Sequence, residues 1–358
     1  MAEYTEAACW LAILDADDIP RRAAKRALQR WCLEDTRSMR EFMGLGGEDL
    51  AEHLDLPAAT LATMLAKAAD VPLWEQRLTT LAERGIHVLL RHDAAYPDLL
   101  AERLDPAHQP YYLFYQGELE LLSEPSVLVA GAAQPNGDGQ RLAKAVGQQA
   151  APLEAALVGG YDDGVERIAQ NATLAAGGSA ILVLPLGIER FAGALSGLQE
   201  PLREGRLLVL SPYAPDAELS DLRAQARREI VAALTGVCLL IEPDVAPDAW
   251  RGYEALKAGH APIGIWRQGD QAMLQAWTQS GAQQVDDIDA ARALVTAWAA
   301  PTEDDAVEAI PLEEAEAHGV EPIRFKDADD AIQRLSETGQ VPEQLRRRLE
   351  ETDWEDVP

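Results

Sequence analysis

The sequence predicts an α/β fold: a mostly parallel, doubly wound Rossmann-like sheet with an N-terminal helical domain and an acidic C-terminal tail. Two observations carry this. Short apolar runs at 127–130, 156–158, 181–184, 207–210, 237–241 and 263–266 each lead into a helical pattern. The first two runs also end in glycine-rich loops. Continuous apolar strands of this length suit a parallel sheet buried on both faces, and their alternation with helices suits a doubly wound arrangement.

At 358 residues the chain exceeds one ordinary core, and its texture divides it into segments 1–70, 71–300 and 301–358. In the first, Trp10, Leu11 and Leu14, then Ala24, Leu28 and Trp31, recur at helical spacing around Pro20. Met43-Gly44-Leu45-Gly46 breaks the pattern. Such a turn resembles a helix-hairpin-helix, whose amides touch a DNA phosphate, but Glu48 and Asp49 follow at once and favour a plain interhelical turn. From residue 71 strands and helices alternate, with further strand candidates at 86–90 and 111–115. The segment 301–358 holds 18 Asp and Glu against 6 Lys and Arg, and reads as a solvated acidic tail with a short helix or two, partly helical or disordered.

Formal net charge is −29. This opposes the basic footprint of a protein that neutralises phosphates, and it argues against binding anionic membranes. The N-terminal residues lack a basic stretch followed by an apolar one, and no apolar run reaches membrane-spanning length, so a cytoplasmic protein is expected. Cys9, Cys32 and Cys238 are odd in number and far apart, which fits buried reduced thiols rather than a disulfide framework or a metal site.

The first loop, Gly131 to Gly139, joins a strand to a helix, and glycines there let backbone amides face an anion at a helix N-terminus. The second, Gly159-Gly160-Tyr161-Asp162-Asp163-Gly164, repeats the idea, and both loops fall at the carboxyl edge of the sheet.

In order along 71 to about 290, these segments resemble the DprA/Smf DNA-processing family. Tyr96-Pro97-Asp98-Leu99-Leu100 is similar to its Tyr-Pro-x-x-Leu, and residues 113–119 to its Leu-x-x-x-Gly-x-Leu. The 130–139 loop resembles Val-Gly-Ser/Thr-Arg-x-x-Ser-x-x-Gly, and 159–170 resembles Ser-Gly-x-Ala-Arg-Gly-Ile-Asp-x-x-Ala-His, both without a gap. Arg227-Arg228-Glu229-Ile230-Val231-Ala232-Ala233-Leu234-Thr235 is similar to Arg-Asn-Arg-Ile-Ile-Ala-Gly-Leu-Ser, followed by an acidic strand end at Glu242.

By this resemblance Ala133, Asp163 and Glu229 each stand where the family has an arginine. Charge-assisted phosphate contacts contribute roughly 1.5 to 3 kcal/mol each, so losing two weakens binding about a hundredfold or more. The ligand-binding candidates that remain are Gly131, Asn136, Gly139, Gly159, Gly160, Gly164, Arg167, Arg227 and Arg228. For Arg227 and Arg228 a solvated helix face is the alternative, and for the glycines close helix-to-sheet packing.

No catalytic set emerges. Asp162, Asp163 and Glu166 either gather a divalent cation or stabilise a helix start. His87, His92, His108 and His260 are scattered, without metal spacing or a partnered nucleophile. Trp250, Trp266, Trp277 and Trp298 either stack bases or fill the core. The resemblance implies a non-catalytic protein that needs no cofactor or metal, forms a homodimer, binds single-stranded DNA weakly and assists a RecA-like recombinase in transformation or repair. Two alternatives stay open. One is a nucleotide-signal sensor with a pocket bounded by Gly131, Gly139 and Gly160. The other is an acidic protein-interaction scaffold that has lost DNA binding.

Overall fold

The computed structural model describes residues 5–191, 193 and 197–299. The expectation for 301–358 lies outside the described residues. Six helices come first: α1 (Glu6–Leu14), α2 (Arg21–Leu28), α3 (Met39–Gly44), α4 (Gly47–Leu54), α5 (Ala58–Ala66) and α6 (Val71–Ala82). The Thr5 side chain caps α1 by accepting from the Ala8 amide. Glu6 then accepts from Trp10 Nε1 at 2.9 Å and from the Met39 amide at 2.6 Å, which pins α3 to α1. The break in the Met43-Gly44-Leu45-Gly46 segment falls at Leu45-Gly46, between α3 and α4, and Glu48 and Asp49 occupy the first turn of α4.

The alternating part follows as β1 (His87–Leu90), α7 (Asp98–Arg103), β2 (Tyr112–Gly117), β3 (Ser126–Gly131), α8 (Gly137–Ala150), β4 (Ala156–Gly159), α9 (Val165–Ala175), β5 (Ala180–Val183), α10 (Ile188–Phe191), α11 (Gln199–Arg203) and β6 (Leu207–Ser211). It ends with α12 (Asp221–Ala233), β7 (Val237–Ile241), α13 (Tyr253–Ala258), β8 (Ile263–Trp266), α14 (Gln271–Gln279), β9 (Gln283–Gln284) and α15 (Ile288–Ala299). All nine strands form one sheet in the order β1-β2-β6-β5-β4-β3-β7-β8-β9. Only the β1–β2 and β2–β6 pairs are antiparallel. The expected apolar runs are therefore strands of a mostly parallel sheet.

Although these runs are continuously apolar, the pleat still sorts them by face. In β7, Cys238 and Leu240 point into the layer packed by α7, α12, α13 and α14, while Val237, Leu239 and Ile241 face α8, α9 and α15. On the latter face the N-terminal helices cover the β5–β6 end, where Leu182, Leu207 and Val209 join the core that holds Trp10 and Trp31. Trp266 and Trp277 are buried, so they pack rather than stack bases. All three cysteines are buried free thiols, and burial pushes the Cys9 thiol up to about 12. Among the described residues no helix is long and apolar enough to cross a membrane.

Candidate functional site

From β3 the chain builds β4, β5 and β6 outward in one direction, then returns to lay β7 on the other flank of β3. That reversal opens a crevice beyond the carboxyl ends of β3 and β7, the usual ligand position in such sheets. Gly131 ends β3 with φ 141°, and a Cβ there would overlap the Ile241 carbonyl, so only glycine lets the strands approach this closely. The Ala132 amide donates to the Ile241 carbonyl at 3.0 Å, and the Val165 amide donates to the Ala132 carbonyl at 3.1 Å. These bonds hold the two glycine loops side by side.

In the first loop Asn136 is the N-cap of α8, its side-chain oxygen accepting from the Asp138 and Gly139 amides at 2.9 Å each. Just past β7, Glu242 stands at φ 50° and its carboxylate accepts from the Asn136 amide at 3.0 Å and from Asn136 Nδ2. The donors that would greet a phosphate are thus engaged by a side-chain amide and a carboxylate of the chain itself.

The second loop repeats this. The Gly160 amide donates to the carboxylate of Glu166 in the first turn of α9. Burial raises the Glu166 carboxyl to about 7; Asp162 adds to the rise, while Arg227, the Gly160 amide and Arg228 oppose it. Arg227 comes from α12 with only 2% of its surface exposed, and its Nη2 meets Asp162 Oδ2 at 2.5 Å. Its remaining Nε and Nη1 are buried without a hydrogen-bond partner. The guanidinium lies so close to Gly160 that a Cβ at that position would overlap it.

The cavity in the crevice has a volume of about 150 Å³, and Gly131, Ala133, Asp162, Asp163, Arg227 and Arg228 are among its lining. Gly139 and Gly160 are not, because Glu242 abuts the first and Arg227 the second, so the pocket expected between three glycines is narrower and more acidic. Gly159 is registered opposite Leu182 within the sheet, and Gly164 caps α9. Of the candidate cations, Arg227 is buried rather than part of a solvated helix face. Arg228 is exposed and forms no ion pair among the described residues. Arg167 pairs with Asp163 at 2.6 Å and donates to the Tyr161 carbonyl, so it is already engaged.

Two of the three positions lacking an arginine, Ala133 and Asp163, line the cavity. Glu229 does not; it lies on another side of α12, holding Arg251 and standing 2.8 Å from His108 Nδ1. The carboxylates Asp162, Asp163 and Glu166 are not gathered around one point but engage Arg227, Arg167 and the Gly160 amide separately. Sequence reasoning missed the inward turn of Arg227, the plugging roles of Glu166 and Glu242, and Gln170, which is fully buried against Gly159 with its amide unpartnered. The only sequence signal was acidity at loop positions where phosphate-binding loops are neutral or basic.

Residues 87–247 match the family model for DNA recombination-mediator protein A. A DNA processing protein DprA from Streptococcus pneumoniae is 34% identical over 143 residues, which is 40% of this chain and 49% of that protein. The match thus spans about half of that relative's length. The X-ray structure of DprA from Streptococcus pneumoniae superposes with a TM-score of 0.59 at 21% identity, covering 79% of this chain and 96% of that one, and shows the shared fold. A structure of DNA processing protein A from Helicobacter pylori, described for its single-stranded DNA binding mode, covers 60% of this chain and 97% of its own at 21% identity and a TM-score of 0.47.

Proposed function

We propose, from the premise that this chain belongs through residues 87–247 to the DNA recombination-mediator protein A family, that it is a non-catalytic DNA-processing protein that contacts single-stranded DNA weakly at the crevice between β3 and β7. The observation that carries this reading is Arg228, exposed at the crevice mouth beside the buried Arg227, on the helix that follows β6. Assistance to a RecA-like recombinase and a homodimeric state belong to the same proposal.

Contact is weak because the loop amides already hold Asn136, Glu166 and Glu242, leaving few donors for a phosphate. With Arg228 the cation left unpaired at the crevice among the described residues, single-strand binding loses affinity with salt at a log-log slope of about −0.7 to −1. The test measures binding of a labelled oligothymidylate and of duplex DNA at low and physiological salt, for the intact chain and for Arg228→Glu. Loss of single-strand binding in Arg228→Glu supports the reading; equal binding by both proteins overturns it.

The same plugged loops favour a second reading, the acidic scaffold that has lost DNA binding. It predicts no oligonucleotide binding at any salt, together with salt-sensitive capture of a basic protein partner.

A further inference from the structure

On the side of α12 away from the crevice, a cavity of about 270 Å³ opens between the N-terminal helices and the carboxyl end of β6. Its lining is unusual for a chain of net charge −29. Arg21 and Lys25 stand one turn apart on α2, facing Arg223 of α12 and Arg251 across the gap. The cations outnumber their counter-charges. Glu229 is held by Arg251 beside His108, and burial raises the Asp15 carboxyl at the end of α1 while Arg77 and Arg21 oppose the rise.

Among these, Lys25 and Arg21 flank the gap from α2, where the Asp15 carboxyl also acts on Arg21. The Lys25 ammonium donates to the Ala107 carbonyl at 3.0 Å, and neither residue forms an ion pair among the described residues. Burial, and after it repulsion from the cations Arg21 and Arg91, depresses the Lys25 pKa. A bound anion relieves that repulsion.

The walls are aromatic. Tyr213 projects from the segment after β6 with Arg223 5.1 Å over its ring, and Tyr111 borders the opposite side beside Lys25. Flat rings next to guanidinium groups suit a planar heterocycle, whereas a bare phosphate uses only the cations. The volume lies at the lower end of ligand cavities, roughly 300 Å³, which fits one nucleotide and not a dinucleotide.

We propose that this cleft binds a phosphorylated nucleoside, free or as the end of a strand, with its phosphate between Arg21 and Lys25 and its base against the tyrosine wall. The site is separate from the crevice and does not depend on the function proposed there.

Thermal shift and calorimetric titration with AMP, inorganic phosphate, and oligothymidylate with or without a 5′-phosphate test it. Arg21→Ala/Lys25→Ala is the disabling variant, the exposed Arg21→Glu a second one that changes a single surface residue, and Arg228→Glu the crevice control. We expect AMP to raise Tm in a saturable way and to bind more tightly than phosphate. The double variant should weaken AMP by about tenfold or more, and Arg228→Glu should leave it unchanged. Dependence on Arg21 and Lys25 seen with the 5′-phosphorylated strand and not with AMP assigns the ligand to a strand end. The proposal is overturned if neither AMP nor the 5′-phosphorylated strand binds, if binding survives in both Arg21 variants, or if Arg228→Glu abolishes it.

Discussion

Arg227 Nη2 meets Asp162 Oδ2 at 2.5 Å, joining α12 to the loop after β4 across the floor of the crevice. The guanidinium is buried while the Asp162 side chain keeps 47% of its exposure, so the pair spans interior and solvent. The arginine that the sequence offers as a ligand contact points inward instead and is held by a carboxylate. The loop carries its own anion.

Removing Arg227 should therefore cost stability. Arg227→Met keeps the apolar volume but removes the cation that most lowers the Glu166 pKa. Breaking a fully buried pair costs about 3 to 5 kcal/mol; with Asp162 half exposed, a loss of about 1 to 3 kcal/mol is expected. Urea denaturation at pH 7 measures it. A change below about 0.5 kcal/mol, the ordinary effect of a surface substitution, would contradict the buried role.

Glu166 gives a pH dependence with a definite sign. Its folded pKa, about 7, is above the ordinary glutamate value of about 4.5, so between these pH values the native state retains a proton that the unfolded chain has released. Stability from this group is therefore fully present below about 4.5, falls as pH rises toward about 7, and stays reduced above it. Glu166→Gln keeps an acceptor for the Gly160 amide without the titration. Relative to the unsubstituted chain, it should gain Tm from pH 5 to about pH 7 and level off by pH 8. A constant difference over that range would sink the assignment.

Gly131→Ala should be among the most damaging single changes. The added Cβ meets the Ile241 carbonyl at a positive φ, where β3 and β7 are registered residue for residue. Strain at such a position costs on the order of 1 to 3 kcal/mol before any loss of strand pairing. Gly137→Ala, in the same loop with no close neighbour but Arg141, is the matched control and should cost less. Equal losses in chemical denaturation would show that close strand approach is not what this glycine serves.

The sequence exposed the sheet well and the site poorly, for one physical reason. Apolar continuity in the runs around Val129, Leu182 and Leu239 records burial on both faces, a property each strand carries locally. The fate of Arg227 depends on Asp162 and Gly160, some 65 residues away in sequence, and its spacing on α12 fitted a solvated face equally well. Glu242 likewise reads as a strand end until the fold sets it beside Asn136. Long-range pairing of polar groups leaves no periodic trace.

Arginines at positions 133 and 163 should strengthen single-stranded DNA binding at the crevice. Ala133 and Asp163 both line the cavity, so arginines at these two positions face the same space as Arg228. Asp163→Arg acts twice, adding a cation and releasing Arg167 from the ion pair that now occupies it. Two regained phosphate contacts at roughly 1.5 to 3 kcal/mol each set an upper range, and solvent screening at an exposed mouth reduces it. Ala133→Arg/Asp163→Arg should therefore bind single-stranded DNA about tenfold to a thousandfold more tightly, with each contact steepening the log-log salt dependence by about 0.7 to 1. Fluorescence anisotropy across a salt series reads both quantities. If the folded double variant binds no better, the loops do not face nucleic acid, and the plugging by Glu166 and Glu242 marks a crevice that has left that role to another surface.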